Sequence, residues 1–246
     1  MTSTEPYATE PLANAIRYPQ APRHRRMAVM FVDLDHFMRI CIDELPEAVF
    51  GLLSEFQRMV TDVVSSFGGE LNSYQGDGVL ATFGDLDERA DCATRTLRCA
   101  RTILEHVRAL SLGYTRVRRR SVSVSIGLQY GQVWTSTLHS SKHFGPTLIG
   151  DAVNVAARLE QQAGTLGAKI LVGDDLIQRA RRESALKASE LAQFVNAGPL
   201  FVRGRKTPVD IWKFQIQSGE LLLENTSTFN VDTDVRPHSG NASAQS

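Results

Sequence analysis

Cysteine is too sparse in this chain to build anything covalent. Cys41, Cys92 and Cys99 form an odd, scattered set with no C-x-x-C pair, which excludes a disulfide framework and a thiolate zinc site and leaves reduced thiols as the expectation. Cys92 and Cys99 stand one heptad apart in a helical stretch, so they share a face as small core residues. An excess of either charge is also missing. Lysine plus arginine and aspartate plus glutamate number 27 each, so no net field draws nucleic acid or a membrane surface, and any charge chemistry must be local. No apolar stretch reaches the ~20 residues of a membrane span, and the N-terminus shows no signal-peptide core. These absences predict a cytoplasmic protein with neither nucleic acid nor membrane as partner.

What is present suffices for one catalytic-size domain. The 246 residues are 42% hydrophobic, enough for a core of about 150–200 residues with tails left over. Pro6, Pro11, Pro19 and Pro22 stand among small polar residues, so residues 1–25 read as a flexible lead-in: such a composition buries too little apolar area to offset ordering entropy. Residues 217–246 read as a polar, disordered tail, although Leu221 to Leu223 can pack locally. The folded domain is therefore expected over residues 26–216.

Within it, Met27 to Asp33 is a continuous apolar run ending in a carboxylate, the pattern of a central strand buried on both faces. Leu45 to Phe67 repeats apolar residues at helical spacing and stops at Gly68-Gly69. Glu70 to Gln75 and Val79 to Phe83 read as strands joined by a tight turn at Gly76-Asp77-Gly78. A helix follows from Asp87 to Leu112, then a strand from Ser121 to Gln132 with Val122, Val124, Ile126 and Leu128 on one face. Strand, helix, hairpin, helix, strand is the order of a ferredoxin-like α+β fold. Beyond it, the spacing predicts a helix over Asp151–Gln162, a strand over Lys169–Val172, a helix over Asp174–Arg182 and an edge hairpin over Pro199–Phe214.

Three segments carry chemistry together: Phe31-Val-Asp-Leu-Asp-His-Phe37, Gly76-Asp-Gly-Val-Leu-Ala-Thr-Phe83 and Gly150-Asp-Ala-Val-Asn-Val-Ala-Ala-Arg-Leu-Glu160. A strand-end aspartate or a Gly-Asp-Gly turn alone is commonplace. In this order and spacing they resemble the class III adenylate/guanylate cyclase catalytic domain, whose central, mostly antiparallel sheet is flanked by helices. Adjacent strands can bring Asp33 and Asp77 to one point, and two hard oxygen ligands plus substrate phosphates suit two Mg²⁺ or Mn²⁺ ions. The resemblance makes Leu34 the donor of a backbone carbonyl to the metal. Asp35 is read as turned to the opposite face or into the following loop, supporting the site from outside.

Asn154 and Arg158 stand one helical turn apart and share a face. The resemblance implies that the asparagine orients the ribose and the arginine stabilises charge developing on the transferred phosphoryl group, a role a guanidinium fork suits. Asp151 at the helix start has a simpler reading as an N-cap. Phe201 to Val209 is similar to the family's basic strand that grips the terminal phosphates, with Arg203 in place of the usual lysine and Arg205 or Lys206 able to share the task. In such enzymes the metal aspartates of one protomer face the Asn/Arg helix of the other. This chain carries both halves, so the resemblance implies a homodimer with two equivalent sites.

At the base pocket the sequence departs from purine-specific relatives. Ser73 stands where they place a lysine, and Thr147 where they place an aspartate or threonine. A serine neither reaches as far nor carries charge, so base choice should change. With Phe31 and Tyr74 as bulky neighbours of the pocket, the chain resembles the stand-alone pyrimidine cyclases of Pycsar antiphage systems, which make cyclic UMP or cyclic CMP as an alarm for a separate effector. Uridine is preferred to cytidine, because nothing acidic replaces the lysine to accept a cytosine amino group. The alternatives are an adenylate or guanylate cyclase and a non-catalytic nucleotide-binding dimer, the latter disfavoured because Asp33, Asp77, Asn154 and Arg158 are all present. A diguanylate cyclase lacks support, since Gly68-Gly69-Glu70 runs on into Leu71-Asn72.

Overall fold

The computed structural model describes residues 22–84, 91–118, 121–137 and 146–215. The expected tail over 217–246, most of the lead-in over 1–25 and the first turn of the helix expected from Asp87 lie outside these residues. Eight strands form one sheet in the order β2 (Glu70–Gln75), β3 (Gly78–Phe83), β1 (Arg23–Leu34), β4 (Val124–Thr137), β6 (Ile170–Gly173), β8 (Val209–Phe214), β7 (Phe194–Leu200), with β5 (Pro146–Ile149) pairing β4. At its heart is β1 (Arg23–Leu34), antiparallel to both β3 and β4. Alternation along β1 splits its apolar run between two cores. Ala28, Met30, Val32 and Leu34 face α2 (Pro46–Ser66) and α3 (Cys92–Arg118), while Met27, Val29 and Phe31 face α4 (Asp151–Ala163). The ladder begins four residues before the apolar run, because Arg23 to Arg26 still pair with Thr135 to Gln132 of β4.

Pro46, whose missing N–H is no loss at a helix start, opens α2. The helix buries Val49, Leu52, Phe56, Val60, Val63 and Val64, and ends where Gly68 adopts a left-handed φ of 67°. β2 (Glu70–Gln75) and β3 (Gly78–Phe83) then form the expected hairpin. Positive φ falls on Gly76 alone of the two loop residues Gly76 and Asp77, the pattern of a type II′ turn. Cys92 and Cys99 are buried together in α3, as their spacing predicts. That helix starts against Glu183 of α5 (Asp174–Glu183), whose carboxylate accepts the otherwise orphaned N–H groups of Ala93 and Thr94 at 3.0 and 2.8 Å.

β4 (Val124–Thr137) runs parallel to β6 (Ile170–Gly173) and antiparallel to the rest of its neighbours. With α2, α3 and α5 on one face and α4 on the other, β1 to β4 and the first two long helices reproduce the ferredoxin-like order. Three short elements carry too few residues to show a period: α1 (Phe37–Asp43), β5 (Pro146–Ile149) and α6 (Ala188–Leu191). The final hairpin differs from expectation. β7 (Phe194–Leu200) begins five residues before Pro199 and β8 (Val209–Phe214) closes the pair, so the basic stretch from Phe201 to Pro208 is the connection between two strands rather than a strand. No helix among the described residues is long and apolar enough to cross a membrane.

Candidate active site

The end of β1 and the β2–β3 turn meet at Asp33 and Asp77. Val32 pairs with Val79, which sets Asp33 beside Gly78, where an added Cβ would lie 3.2 Å from Asp33 Oδ1. Glycine thus leaves room for the carboxylate. Burial pushes the Asp33 carboxyl up to about 6, and the negative charge of Asp77 adds to the rise against a donated Leu34 N–H. Glu160 of α4 is pushed up to about 7, first by burial and then by Asp33, Asp35 and Asp77. Four carboxylates therefore feel one another here.

Lys169 balances one of them. Its Nζ lies 2.7 Å from Asp35, whose carboxylate also accepts Ser123 Oγ and Ser125 Oγ at 2.6 Å each. Burial opposes ionisation of Asp35, but these donors outweigh it and hold the carboxyl below the usual range. Ser125 faces Asp33 across the β1–β4 ladder, so Asp35 lies on the same side of the sheet as Asp33, not the opposite one. No such cation pairs with Asp33 or Asp77 among the described residues.

This donor set fits a divalent cation. Two hard oxygen donors crowd together with no countercharge among the described residues, and further donors would have to come from substrate and backbone, since no three acidic, histidine or cysteine side chains among those residues are grouped to hold an ion.

Asn154 and Arg158 lie elsewhere. α4 buries Ala152, Val155, Ala156, Leu159 and Ala163, and the opposite stripe exposes Asn154 and Arg158, the latter bonded to Gln161 at 2.6 Å. The helix rests directly on the sheet at Gly127, where any Cβ would collide with the backbone of Ala156 and Glu160. Gly150 is the cap residue and Asp151 the first helical residue, with no side-chain cap bond; the Asp151 carboxylate instead pairs with Arg205 at 2.6 Å. Arg205 is thereby occupied, whereas Arg203 and Lys206 stand exposed in the β7–β8 connection.

Of the expected base residues, the sheet aligns two. Phe31 pairs with Leu80 and Leu80 with Ser73, giving one cross-strand row on the α4 side. Tyr74 is not among them. It follows Ser73 and so points to the other face, where its hydroxyl lies 2.7 Å from Thr61 Oγ1 of α2. Thr147 sits on β5, paired with Ser136 of β4.

Sequence reasoning missed Lys169, Ser123, Ser125 and the inward direction of Glu160. Glu160 left a signal, because it lies four residues after buried Ala156 and a carboxylate beside the apolar stripe of a helix calls for a reason. The serines and the lysine had none, since each alternates unremarkably at a strand end.

Known proteins resemble this chain in sequence and fold. Two curated relatives are an adenylate cyclase of Anabaena cylindrica, 29% identical over 157 residues, and adenylate cyclase 1 of Rhizobium meliloti (strain 1021), 24% identical over 194 residues. The matches cover 63% and 79% of this chain but only 30% and 28% of those proteins. Among solved structures, the adenylyl cyclase CyaB from P. aeruginosa superposes with a TM-score of 0.71 at 20% identity, over 80% of this chain and 97% of that one. The guanylyl cyclase Cya2 gives 0.68 at 22%, over 79% and 94%. At such identities the likeness is one of fold. The family model described as the adenylate and guanylate cyclase catalytic domain matches residues 19–217, nearly all of the folded unit, and the chain belongs to that family.

Proposed function

We propose that two copies of this chain form a nucleotidyl cyclase that closes a nucleoside triphosphate into a 3′,5′-cyclic monophosphate and releases pyrophosphate. The observation that carries this reading is the division of the site: Asp33 and Asp77 converge at one end of β1, while Asn154 and Arg158 point outward from α4. A two-fold dimer sets one group opposite the other, twice.

Asp33, Asp77 and the Leu34 carbonyl would hold two Mg²⁺ or Mn²⁺ ions. When bound, these supply a lowered pKa for the ribose 3′-hydroxyl and neutralisation of the triphosphate. Asn154 orients the ribose so that its 3′-oxygen lies in line with the α-phosphorus. Arg158 donates to the oxygens on which charge grows as the pyrophosphate leaves, and exposed Arg203 meets the terminal phosphates. Arg158→Ala should accordingly lower kcat far more than it weakens nucleotide binding.

The base is read as a pyrimidine, uracil ahead of cytosine, because Ser73 stands in the base row without a long cationic donor. The product would then serve as a second messenger in antiviral defence, in the cytoplasm, acting on a separate effector. A purine reading draws on two of the relatives, the adenylate cyclases of Anabaena cylindrica and Rhizobium meliloti. Purified protein with Mn²⁺ and equimolar ATP, GTP, CTP and UTP, with products identified by mass spectrometry, decides between them. Predominant cyclic UMP or cyclic CMP supports the pyrimidine reading, cyclic AMP or cyclic GMP replaces it, and no cyclic product from any of the four leaves a nucleotide-binding dimer.

A further inference from the structure

The sheet is interrupted along one edge of β4. On the side away from β1, that edge pairs with β6 over residues 126–128 and with β5 over residues 134–137, and no strand among the described residues covers 129–133 between them. Because β6 runs parallel to β4 and β5 antiparallel to it, the carboxyl ends of both, Gly173 and Ile149, point into this gap. From there the chain leaves to opposite faces of the sheet, into α5 after Gly173 and into α4 after Gly150. A crevice where strands end and the following helices part to opposite faces is where open α/β sheets hold their ligands.

The gap holds an open cavity of about 340 Å³, the size of a small-molecule pocket. The two arginines and two aspartates in its wall cancel in formal charge. One pair is closed, since Arg205 bonds Asp151 at 2.6 Å. The other is held apart. Asp175 accepts the Gln129 amide at 3.1 Å, while Arg26 lies 5.2 Å from the centre of the Tyr130 ring and makes no hydrogen bond or ion pair among the described residues. Opposite charges that face one cavity without meeting are complementary to a ligand that carries both. Trp134, stacked on His24 and still 49% exposed, adds an aromatic wall.

We infer that this cavity binds a small zwitterion, an α-amino acid with an apolar or aromatic side chain. Its carboxylate meets the Arg26 guanidinium, which can donate two parallel N–H bonds; its ammonium meets the Asp175 carboxylate, and its side chain lies against Trp134. Asp33 and Asp77 take no part. Arg26 stands seven residues before Asp33 on β1, about 23 Å along the strand. It alternates with Ala28 and Met30, which places it on the face opposite Phe31. The cavity wall also includes Gly150 to Ala152, the start of the helix that presents Asn154 and Arg158. Occupancy is thereby linked to the catalytic face of α4. That link rests on the cyclase reading, whereas the site itself does not.

The test uses the full chain, with the common L-amino acids as probes, screened by melting shift and measured by calorimetry. At least one with an apolar or aromatic side chain should bind. Its N-acetyl derivative, which lacks the ammonium, and its decarboxylated amine should each bind about 10-fold more weakly. Arg26→Gln should weaken the amino acid by a similar factor and leave the amine unaffected; Asp175→Asn should weaken the amino acid and spare the N-acetyl derivative. A variant that only disturbs the fold does not produce this crossed pattern. No binding of any probe at millimolar concentration, equal affinity for the amino acid and its two derivatives, or affinities that neither substitution changes would overturn the inference. For the link to α4, the bound amino acid should change turnover of the wild type and not of the two variants, whose turnover without it should match the wild type. Binding with unchanged turnover removes the link and keeps the site. A wild type that turns over no nucleoside triphosphate removes the cyclase reading, and calorimetry still decides the site.

Discussion

Asp33 concentrates the electrostatic problem that a cation would resolve. Its carboxyl titrates near 6 because burial and the Asp77 charge both oppose ionisation. Between the ordinary aspartate value near 4 and this raised one, the folded chain holds a proton that the unfolded chain has released. Metal-free stability should therefore fall as pH rises through that window, with the full penalty present above about 6. Binding a divalent ion must expel the same proton below that pH, so Mn²⁺ affinity should weaken as pH drops from 7.5 to 5.5. Asp33→Asn separates the two effects. At pH 7.5 the variant should melt higher than metal-free wild type in calorimetry, yet show none of the stabilisation that Mn²⁺ gives the wild type. A variant that melts lower, or that still responds to Mn²⁺, would remove Asp33 from the metal site.

At the scale of elements, α4 performs two tasks through one placement. It is seated on β4 at Gly127, and that contact sets Glu160 toward the acidic cluster while the outer stripe presents Asn154 and Arg158. Gly127→Ala should push the helix off the sheet and destabilise the fold by about 3 kcal/mol, lowering Tm by roughly 2–4 °C for each kcal/mol. Gly113→Ala is the contrast, since α3 has open space there and an alanine should instead gain about 0.5–1 kcal/mol. Equal melting temperatures for the two variants would contradict the close seating of α4. These elements were legible where side chains report burial: the apolar run of β1, the helical spacing of α2 and α4, and the glycine turn at Gly76. They were illegible where the backbone alone decides. Arg23 to Arg26 extend β1 because a ladder partner is available, whatever their side chains prefer. Tyr74 was misplaced because it follows Ser73 in a regular stretch and so points to the other face, and the bulge between Leu71 and Ser73, invisible to a two-residue count, decides that Ser73 takes the α4 side. The basic segment from Phe201 was expected as a strand because of the family resemblance, yet Gly204, at φ 93°, bends it into a connection.

At the scale of the whole molecule, the proposed reading divides the required groups between two copies of the chain, and this makes a prediction that no single-site defect imitates. Asp33→Ala and Arg158→Ala should each be inactive as homodimers, because both sites lose the same group. Mixed in equal amounts and allowed to exchange subunits, they form mixed dimers in half of the assemblies. In a mixed dimer, one site combines the two substituted positions and the other combines the intact Asp33 of one subunit with the intact Arg158 of its partner. About a quarter of the wild-type number of sites is therefore restored, and activity should return to about that fraction. The dependence on exchange is diagnostic: activity should grow with the rate at which dimers dissociate and should be absent if the subunits are cross-linked before mixing. Activity that stays at zero after demonstrated exchange would place Asp33 and Arg158 in the same site of one chain, where the outward face of α4 offers no route between them.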